Sequence, residues 1–334
     1  MCRIYLQITI FKDILFPFVI YIKSKLLYIK NHGGDFMYIK KENIIVSMDP
    51  KNTPIKHCTS ADTIVFQTLD CYSSNIRNEE DLFHIVDYAT INPATGPVYI
   101  EGCEPGDILK VDILNIKLDS QGCMALAPGS GPLGEFIKEE RTKIIKIEDG
   151  FAIFNDVIKI PITPMVGVIG TSPKEDKVLN GTPGEHGSNM DCSKIQEGTS
   201  LFLPVNVPGA LLSIGDLHAV MGDGEVATCG VEISGEVTIK VDILKNTSIP
   251  TPILRTENEY ITIASGKTLD QANNAACFKM LKLLQSKLSM DVYEAIMLLS
   301  ITGNMEICQV VNPLVTARMT MPIWIFEKYG INSL

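Results

Sequence analysis

The chain has 334 residues, a formal net charge of −10 and an isoelectric point near 5.1, and it is long enough to bury a sizeable hydrophobic core without disulfide staples. Nucleic acids and anionic membranes attract clustered lysine and arginine, so this acidic balance excludes both as expected partners. Nine cysteines without a C-x-x-C pair argue against zinc-ribbon and thioredoxin-like folds and favour a reducing, cytoplasmic location.

Residues 1–36 differ from the rest of the chain because they combine large apolar residues with lysines. Their apolar run Ile14–Ile22 is too short to span a bilayer, contains Pro17 and precedes no small-residue cleavage site. Codons for Gly33-Gly34-Asp35 could spell a bacterial ribosome-binding sequence directly before Met37. We therefore expect residues 1–36 to be a translated leader outside the fold, and the folded protein to occupy residues 37–334.

From Met37 onward, short runs rich in β-branched residues alternate with Gly, Pro or Asp, which predicts strands. The clearest runs are Thr63–Leu69, Ile108–Ile116, Lys143–Ile147, Ala152–Ile160 and Val237–Leu244. Lys-Val-Asp-Ile-Leu occurs at 110–114 and again at 240–244, and strand geometry places Val111 and Ile113 on one face. The pattern predicts a mainly β fold of sandwich-like or barrel-like sheets. The repeat suggests two similar sheets, and the chain could divide into β subdomains at 37–160 and 161–334.

The segment Ala127–Gly134 is rich in glycine and proline and predicts a long irregular loop, with an active-site lid as the alternative. Helices are expected only towards the C-terminus. Thr268 is a suitable N-cap for a helix over Leu269–Leu288, and a second helix is expected from Ser289 or Met290 to Ser300. These two helices are expected to pack against the sheets.

The stretch Pro183–Glu232 contains the densest polar chemistry of the chain. Glycines flank many of its short polar side chains, so the backbone can turn tightly and direct them at one point. These side chains are His186, Asp191, Asp216, His218, Asp223 and Glu225. In a strand, Asp216 and His218 would lie on one face, where a carboxylate and an imidazole can share a divalent metal. A solvated turn is the alternative for that pair.

Further oxygen donors fit either zinc with a retained water or a harder cation such as calcium. Asp191 follows Asn189 closely, and Asp70 ends a predicted strand, where it is either a turn former or a contributor to the site. Glu225 or Glu232 could act as the general base towards a metal-bound water.

A cysteine nucleophile is the weaker scheme. Cys192 or Cys229 could attack a carbonyl with His186 or His218 as base. Isolated cysteines among strands are more often small apolar core residues, so the metal scheme is preferred.

Several blocks occur together and in order along the chain: Asn92–Asp107, Pro164–Gly170, Pro183–Asp191, Leu203–Gly209, Gly215–Glu225 and Gln309–Pro313. With these blocks the chain resembles the acetamidase/formamidase family from Met37 to the C-terminus, and its length without the leader suits the shorter, acetamidase-like branch. The resemblance implies a cytoplasmic, homo-oligomeric hydrolase that cleaves the carbon–nitrogen bond of short linear amides such as acetamide or formamide.

The resemblance also implies a shared site. Its members would be Asp70, Asn189, Asp191, Asp216, His218, Asp223, Glu225 and Glu232. As a hypothesis, we expect metal ligation by Asp70, Asp191, Asp216 and His218, catalytic roles for Asn189, Glu225 and Glu232, and substrate contacts from His186, Met221 and Asp223. Two positions depart from the family pattern: Ser188 stands where a second glycine is usual, and Met221 stands where glutamine is common. The second departure could alter a substrate contact.

Two other functions are compatible with the same residues. A noncatalytic β protein could bind a small ligand or a metal through these carboxylates. A hydrolase of another small amide-like substrate could arise through changes around Met221.

Overall fold

The computed structural model describes residues 36–334, and Tyr38–Leu334 form one compact unit. Apart from Phe36, the expected leader at residues 1–36 lies outside the described part of the chain, and it stays a prediction. The expected mainly β fold with helices near the C-terminus is confirmed.

Short strands account for most of the regular structure. In chain order they are β1 Met37–Ile39, β2 Ile44–Ile45, β3 Ser47–Met48, β4 Lys56–Cys58, β5 Thr63–Thr68, β6 Ala94–Ile100, β7 Ile108–Leu118, β8 Gln121–Leu126, β9 Arg141–Glu148, β10 Phe151–Ile153, β11 Lys159–Pro161, β12 Met165–Gly170, β13 Val178–Leu179, β14 Gly187–Asn189, β15 Ser200–Pro204, β16 Leu212–His218, β17 Glu232–Ile233, β18 Gly235–Leu244, β19 Ile253–Arg255, β20 Glu259–Gly266, β21 Asn304–Gln309 and β22 Val315–Pro322. The α-helices are α1 Leu269–Leu288, α2 Val292–Thr302 and α3 Ile323–Lys328. Single 3₁₀ turns cover Phe83–Ile85, Tyr88–Thr90 and Gly134–Phe136.

Two large sheets organise the strands. The nine-stranded sheet has the order β1-β5-β18-β7-β15-β19-β20-β22-β21. In the eleven-stranded sheet the order is β11-β10-β9-β8-β17-β16-β12-β14, with β6 also beside β16 and with β2 and β4 beside β6. The strand β5 of the first sheet contacts β6 and β16 of the second, so the two sheets pack together as a sandwich. Each sheet contains strands from both sides of residue 160.

The repeated pentapeptide lies on neighbouring strands of one sheet, so the expectation of two similar sheets is wrong. The strands β7 and β18 pair antiparallel, with Lys110 opposite Asp242 and Asp112 opposite Lys240. An antiparallel pair of identical segments aligns each lysine with an aspartate, and opposite charges across a pair stabilise a sheet. Val111 and Ile113 are both buried, so the face that the sequence predicts them to share is the buried one.

The run Ala152–Ile160 is a hairpin, although the sequence predicts one strand. The strands β10 and β11 pair antiparallel. Between them, the side-chain oxygen of Asn155 accepts hydrogen bonds from the backbone N–H groups of Val157 and Ile158, at 2.9 and 2.7 Å. Asparagine favours such turns because its side chain satisfies nearby backbone donors.

The first predicted helix is confirmed as α1, and Thr268 caps it by accepting a hydrogen bond from the backbone N–H of Gln271. Residues Ala272, Ala276, Met280, Leu283 and Leu284 are buried on the face that packs against β20 and β22. The second helix begins later than predicted. Ser289 adopts a left-handed conformation that ends α1, and Asp291 caps α2 through the N–H groups of Tyr293 and Glu294.

The short helix α3 lies beyond the two helices that the sequence predicts. It starts directly after Pro322, and proline is well suited to the start of a helix because its fixed φ fits the helical entry. Between residues 36 and 334, no helix has the length and apolar character needed to cross a lipid bilayer.

Candidate functional site

A cavity of about 520 Å³ opens beside the eleven-stranded sheet. Its apolar wall includes Tyr72, Phe83, Ile91 and Val311. The potential reacting groups on its wall are Cys71, Asn189, Asp216, Glu225, Glu232 and Asn312. The cavity therefore combines a small apolar space with converging polar groups, which is typical of a site for a small molecule.

Two adjacent strands bring Asp216, His218 and Glu232 together. Asp216 and His218 lie on β16, and His218 is directly opposite Glu232 on β17. The Nε2 atom of His218 lies 3.1 Å from Oε2 of Glu232 and 3.4 Å from Oδ1 of Asp216. All three side chains are at most 2% exposed, so the imidazole and both carboxylates interact away from bulk water.

Asp191 and Glu225 join this group from irregular segments. Ligand atoms of Asp191, His218 and Glu225 all lie within 4.8 Å of one another, and so do ligand atoms of Cys71, Asp216 and Glu232. The sequence predicts that Asp191, Asp216 and His218 converge, and the structure brings them into one buried cluster. We call the six residues of these two groups the acidic cluster.

Asn312 holds Asp191 in place. Its side-chain amide donates to Oδ2 of Asp191 at 2.8 Å and to the backbone carbonyl of Asn189 at 3.1 Å. The backbone N–H of Asn312 in turn donates to the side-chain oxygen of Gln309. A distant segment of the chain thus fixes the orientation of one carboxylate in the acidic cluster.

The acidic cluster contains buried polar atoms without hydrogen-bond partners. These atoms are Asp191 Oδ1, Asp216 Oδ1, His218 Nδ1, Glu225 Oε2 and Glu232 Oε2. Buried polar groups are normally satisfied, and buried charges are normally paired or bound to a metal. A divalent cation fits this donor set of carboxylates and imidazole.

Burial shifts the proton affinities of the acidic cluster. It raises the pKa of Asp191 and of Glu232 to about 7, with a further upward contribution from the Asp216 carboxylate. Burial and the nearby Asp191 carboxylate raise the pKa of Glu225 well above its usual value. Burial alone would lower the pKa of His218, but Glu232 and Asp216 outweigh it and hold that pKa well above its usual value. Without a bound cation, the carboxylates therefore compete for protons.

Several site residues have left-handed backbone conformations. The φ angles are +72° at Ser188, +43° at Asp191, +55° at Asp216 and +49° at Glu225. Such angles are uncommon for residues with a Cβ atom, and they cluster at functional sites where the surrounding structure holds them. Gly187 and Gly224, which precede two of these residues, also have positive φ. The glycine-rich sequence thus permits the turns that aim these side chains.

The backbone at Ser188 gives a testable difference between two substitutions. Glycine adopts a positive φ without strain. The Ser188 hydroxyl donates to the Asn180 carbonyl at 2.7 Å. Both Ser188→Ala and Ser188→Gly lose this bond, but only alanine keeps the strain, so we expect Ser188→Ala to be about 1 kcal/mol less stable than Ser188→Gly. Chemical denaturation would measure the difference, and equal stabilities would contradict the strain.

Gly167 on β12 lies against two carboxylates. A Cβ atom there would be 2.5 Å from Oδ1 of Asp191, 2.8 Å from Oδ2 of Asp216 and 2.9 Å from the Asp216 backbone carbonyl. Only a residue without a side chain leaves room for both carboxylates at this point.

We therefore expect Gly167→Ala to displace Asp191 and Asp216. Overpacking of this kind costs about 1–3 kcal/mol, and the displaced carboxylates should reduce both metal binding and turnover. Thermal unfolding, metal content and ammonia release would measure these effects. Gly222→Ala is a suitable control for handling and expression, because a Cβ atom at Gly222 would have open space and its φ lies outside the left-handed region. Unchanged activity in Gly167→Ala would contradict the tight packing.

Five residues predicted for the site lie outside the acidic cluster, and of these Asn189 lines the 520 Å³ cavity. The Oδ1 atom of Asp70 accepts from the backbone N–H groups of Tyr72 and Ser74, as a turn former does. His186 is buried without a partner for Nε2, and burial lowers its pKa to about 4. Asp223 forms a two-pronged ion pair with Arg318. Met221 and Asp223 line a separate apolar cavity of about 460 Å³, which also borders Glu225. Substrate contacts from His186, Met221 and Asp223 stay predictions.

The cysteines of the alternative nucleophile scheme do not line the 520 Å³ cavity. Cys192 lies beside Cys308 and Arg318, and a hydrogen bond with Cys308 lowers its pKa to about 7. Cys229 borders the apolar cavity, and burial raises its pKa to about 12.

Sequence reasoning missed Cys71, Asn312 and Arg318. The signal for Cys71 was its position next to Asp70, and the signal for Asn312 was its place in the block Gln309–Pro313. Arg318 is fully buried on β22 and neutralises Asp223 and Glu306. A single arginine in a strand of otherwise uncharged residues gives no indication of these partners.

Comparison with known proteins places these features in context. The family model described as the Acetamidase/Formamidase family matches residues 40–181 and 178–328. A crystal structure of an acetamidase from Bacillus halodurans is similar over 88% of this chain and 100% of its own, with 46% identity and a TM-score of 0.87. A crystal structure from Thermoanaerobacter tengcongensis, described as a predicted acetamidase/formamidase, is similar over 90% of this chain and 100% of its own, with 41% identity and a TM-score of 0.87.

Curated relatives are longer than the segment they share with this chain. A Schizosaccharomyces pombe protein, named provisionally as a formamidase, is 31% identical in a match that covers 55% of this chain and 60% of the relative. Two other curated relatives are matched over 62% and 55% of their lengths. The chain therefore spans less than two thirds of the length of these relatives.

Proposed function

Because this chain belongs to the acetamidase/formamidase family, we propose that it hydrolyses the carbon–nitrogen bond of short linear amides and releases a carboxylate and ammonia. The observation that carries this proposal is the acidic cluster, of which Cys71, Asp216, Glu225 and Glu232 line a cavity of about 520 Å³. The volume suits a small substrate, and several polar atoms are available to act on it.

A divalent metal, zinc in the first place and calcium as the alternative, would be held by Asp191, Asp216 and His218. Bound there, it would polarise the amide carbonyl and lower the pKa of a water molecule. The buried oxygens without hydrogen-bond partners at Asp191 and Asp216 support this role. Oδ1 of Asp70 accepts hydrogen bonds from the backbone of the turn that follows it. Asp70 would therefore stabilise the turn that contains Cys71 and would not contact the substrate.

The remaining roles follow from position in the cavity. Glu225 or Glu232 would carry a proton to the departing nitrogen, because both line the cavity and each has a buried oxygen without a hydrogen-bond partner. Asn189 would stabilise the oxyanion through its side-chain amide. Asn312 would act as a positioning residue, since it holds Asp191 and the Asn189 carbonyl.

An ammonia-release assay over formamide, acetamide, propionamide and urea would test the function. We expect turnover of the short linear amides, loss of turnover after chelation, and recovery when zinc is restored. No ammonia from any compound, together with tight ligand binding, would instead favour a noncatalytic binding protein. Turnover of urea alone would indicate a hydrolase of another amide-like substrate.

We also propose that the protein is cytoplasmic and homo-oligomeric. Support for self-association comes from α2, which is apolar around much of its circumference although Tyr293, Met297 and Ile301 are 73%, 63% and 80% exposed. Helices that are apolar all round are normally buried, so a second copy of this chain is the expected cover.

A double substitution on this helix tests the assembly. We expect Met297→Lys with Ile301→Lys to lower the native mass measured by light scattering, because two charges would oppose burial of the α2 face. Val157→Lys is a matched control, since Val157 is 88% exposed in the turn between β10 and β11. If Val157→Lys lowered the native mass and the double variant did not, the result would contradict an interface at α2.

A further inference from the structure

Cys71 is a buried thiol in the cavity for which the proposed reaction has no use. It directly follows Asp70, is 6% exposed and lines the cavity. Its sulfur lies within 4.8 Å of a carboxylate oxygen of both Asp216 and Glu232. Within residues 36–334 we find no hydrogen bond to this sulfur, although the thiols of Cys192 and Cys229 do have polar neighbours. Its orientation towards two carboxylates is therefore not explained by protein contacts.

Each carboxylate that faces Cys71 also has a buried oxygen that no hydrogen bond satisfies. Asp216 and Glu232 are 2% and 1% exposed, and Oδ1 of Asp216 and Oε2 of Glu232 have no hydrogen-bond partner, although Nε2 of His218 lies 3.4 and 3.1 Å from them. A single imidazole N–H could satisfy only one of the two oxygens. Two buried carboxylates beside a thiol repel each other when ionised, and a shared cation is the usual way to stabilise such a group. We call Cys71, Asp216 and Glu232 the Cys71 group. Its two carboxylates and thiol are better suited to binding a cation than to forming a hydrogen-bonded core.

The Cys71 group shares no residue with the group of Asp191, His218 and Glu225. The two groups are adjacent, because Nε2 of His218 lies 3.1 Å from Glu232 and 3.4 Å from Asp216. Asp216 also faces Asp191, since Oδ2 of Asp216 and Oδ1 of Asp191 both lie within 2.8 Å of one point beside Gly167. A carboxylate placed in this way can bridge two cations, as in hydrolytic sites that use a metal pair.

We propose that Cys71, Asp216 and Glu232 hold a second divalent cation beside the first, which Asp191, Asp216 and His218 would hold, and that the Cys71 thiolate makes this second position selective for zinc over calcium. The selectivity follows from ligand chemistry, because thiolates prefer softer cations and calcium prefers oxygen ligands only. This inference rests on the proposed metal-assisted function and adds a second position to it. Because Glu232 is then a ligand, Glu225 is the residue left to carry the proton.

Cobalt substitution tests the second position without an activity assay. Cobalt(II) bound to a thiolate gives a charge-transfer absorption in the near ultraviolet, whereas cobalt bound only to carboxylates and imidazole does not. We expect the cobalt-loaded protein to contain two equivalents of metal per chain and to show this absorption. Excess calcium should displace one equivalent at most and leave the absorption unchanged.

Two variants assign the signal to Cys71. Cys71→Ser is expected to lose the absorption and about one equivalent of metal, and Cys71→Ala to do the same. Cys58→Ser is the matched control because Cys58 is also a buried thiol, 3% exposed, but lies on β4 outside the cavity lining. The control should keep both the absorption and two equivalents.

The outcomes separate this inference from the proposed function. One equivalent of metal without the absorption would overturn the second position and leave a single-metal amidase. One equivalent with the absorption would also overturn it, because Cys71 would then belong to the only site. No bound metal would overturn both the second position and metal assistance, and ammonia release in that state would still support the amidase reaction.

Discussion

Replacing His218 with alanine is expected to reduce ammonia release from acetamide by about 10²–10⁴-fold, the range typical for loss of a positioned catalytic group. His218 is 1% exposed and lies between the carboxylates of Asp216 and Glu232. Its removal leaves these carboxylates without their shared neighbour and takes one nitrogen ligand from the metal. We therefore expect metal content, measured by elemental mass spectrometry, to fall together with activity.

The His218 substitution needs a stability measurement beside the assay. Breaking a buried charged group by removing one partner destabilises a protein by about 3–5 kcal/mol, so circular dichroism must establish that the variant is folded at the assay temperature. His57→Ala is a suitable control, because His57 stacks on Tyr99 and pairs with Glu101 on the surface. A folded His218→Ala variant that keeps its metal and more than a tenth of the wild-type rate would contradict the proposed site.

Replacing Glu225 with glutamine is expected to lower kcat by about 10²–10⁴-fold. Glutamine keeps the shape of the side chain but cannot transfer the proton. Glu225 lines the 520 Å³ cavity and has a buried oxygen without a hydrogen-bond partner. If it carries the proton to the leaving nitrogen, kcat should fall while KM for acetamide changes little, because binding of the small amide does not depend on that proton.

Metal content distinguishes two roles for Glu225. Its ligand oxygen is close to those of Asp191 and His218, so a metal-binding role would appear as loss of metal in Glu225→Gln. Retained metal with low kcat would support proton transfer. Glu236→Gln on β18 is the control, since Glu236 bonds to Gln67 outside the cavity. Full activity in Glu225→Gln would exclude both roles.

The sequence predicts those parts of the fold that depend on local pattern. The α1 helix has a threonine cap and a consistent apolar face, and β7 and β18 have clear alternation. Prediction was less accurate where a single side chain redirects the chain, as Asn155 does in the β10–β11 hairpin. The pairing of β7 with β18 brings together segments that are distant in sequence, so residue pattern alone does not predict which strands become neighbours.

For the acidic cluster, residue type and spacing were sufficient to select Asp191, Asp216 and His218. They were insufficient for residues whose role depends on a distant partner. Asn312 reaches Asp191 across 121 positions of the chain, and Asp223 pairs with the buried Arg318 and does not join the acidic cluster. Such long-range ion pairs and hydrogen bonds depend on the complete sheet arrangement rather than on local sequence.

The positive φ angles of Asp191 and Asp216 affect how mutational scans of this protein should be interpreted. Alanine at either position would remove the carboxylate and would also be strained at a positive φ. A loss of activity or stability in the alanine variant would therefore have two causes. Asparagine accepts this geometry more readily than other uncharged residues, and it would report the contribution of the charge alone. Comparing alanine with asparagine at each position would separate the effect of backbone strain from the effect of the lost charge.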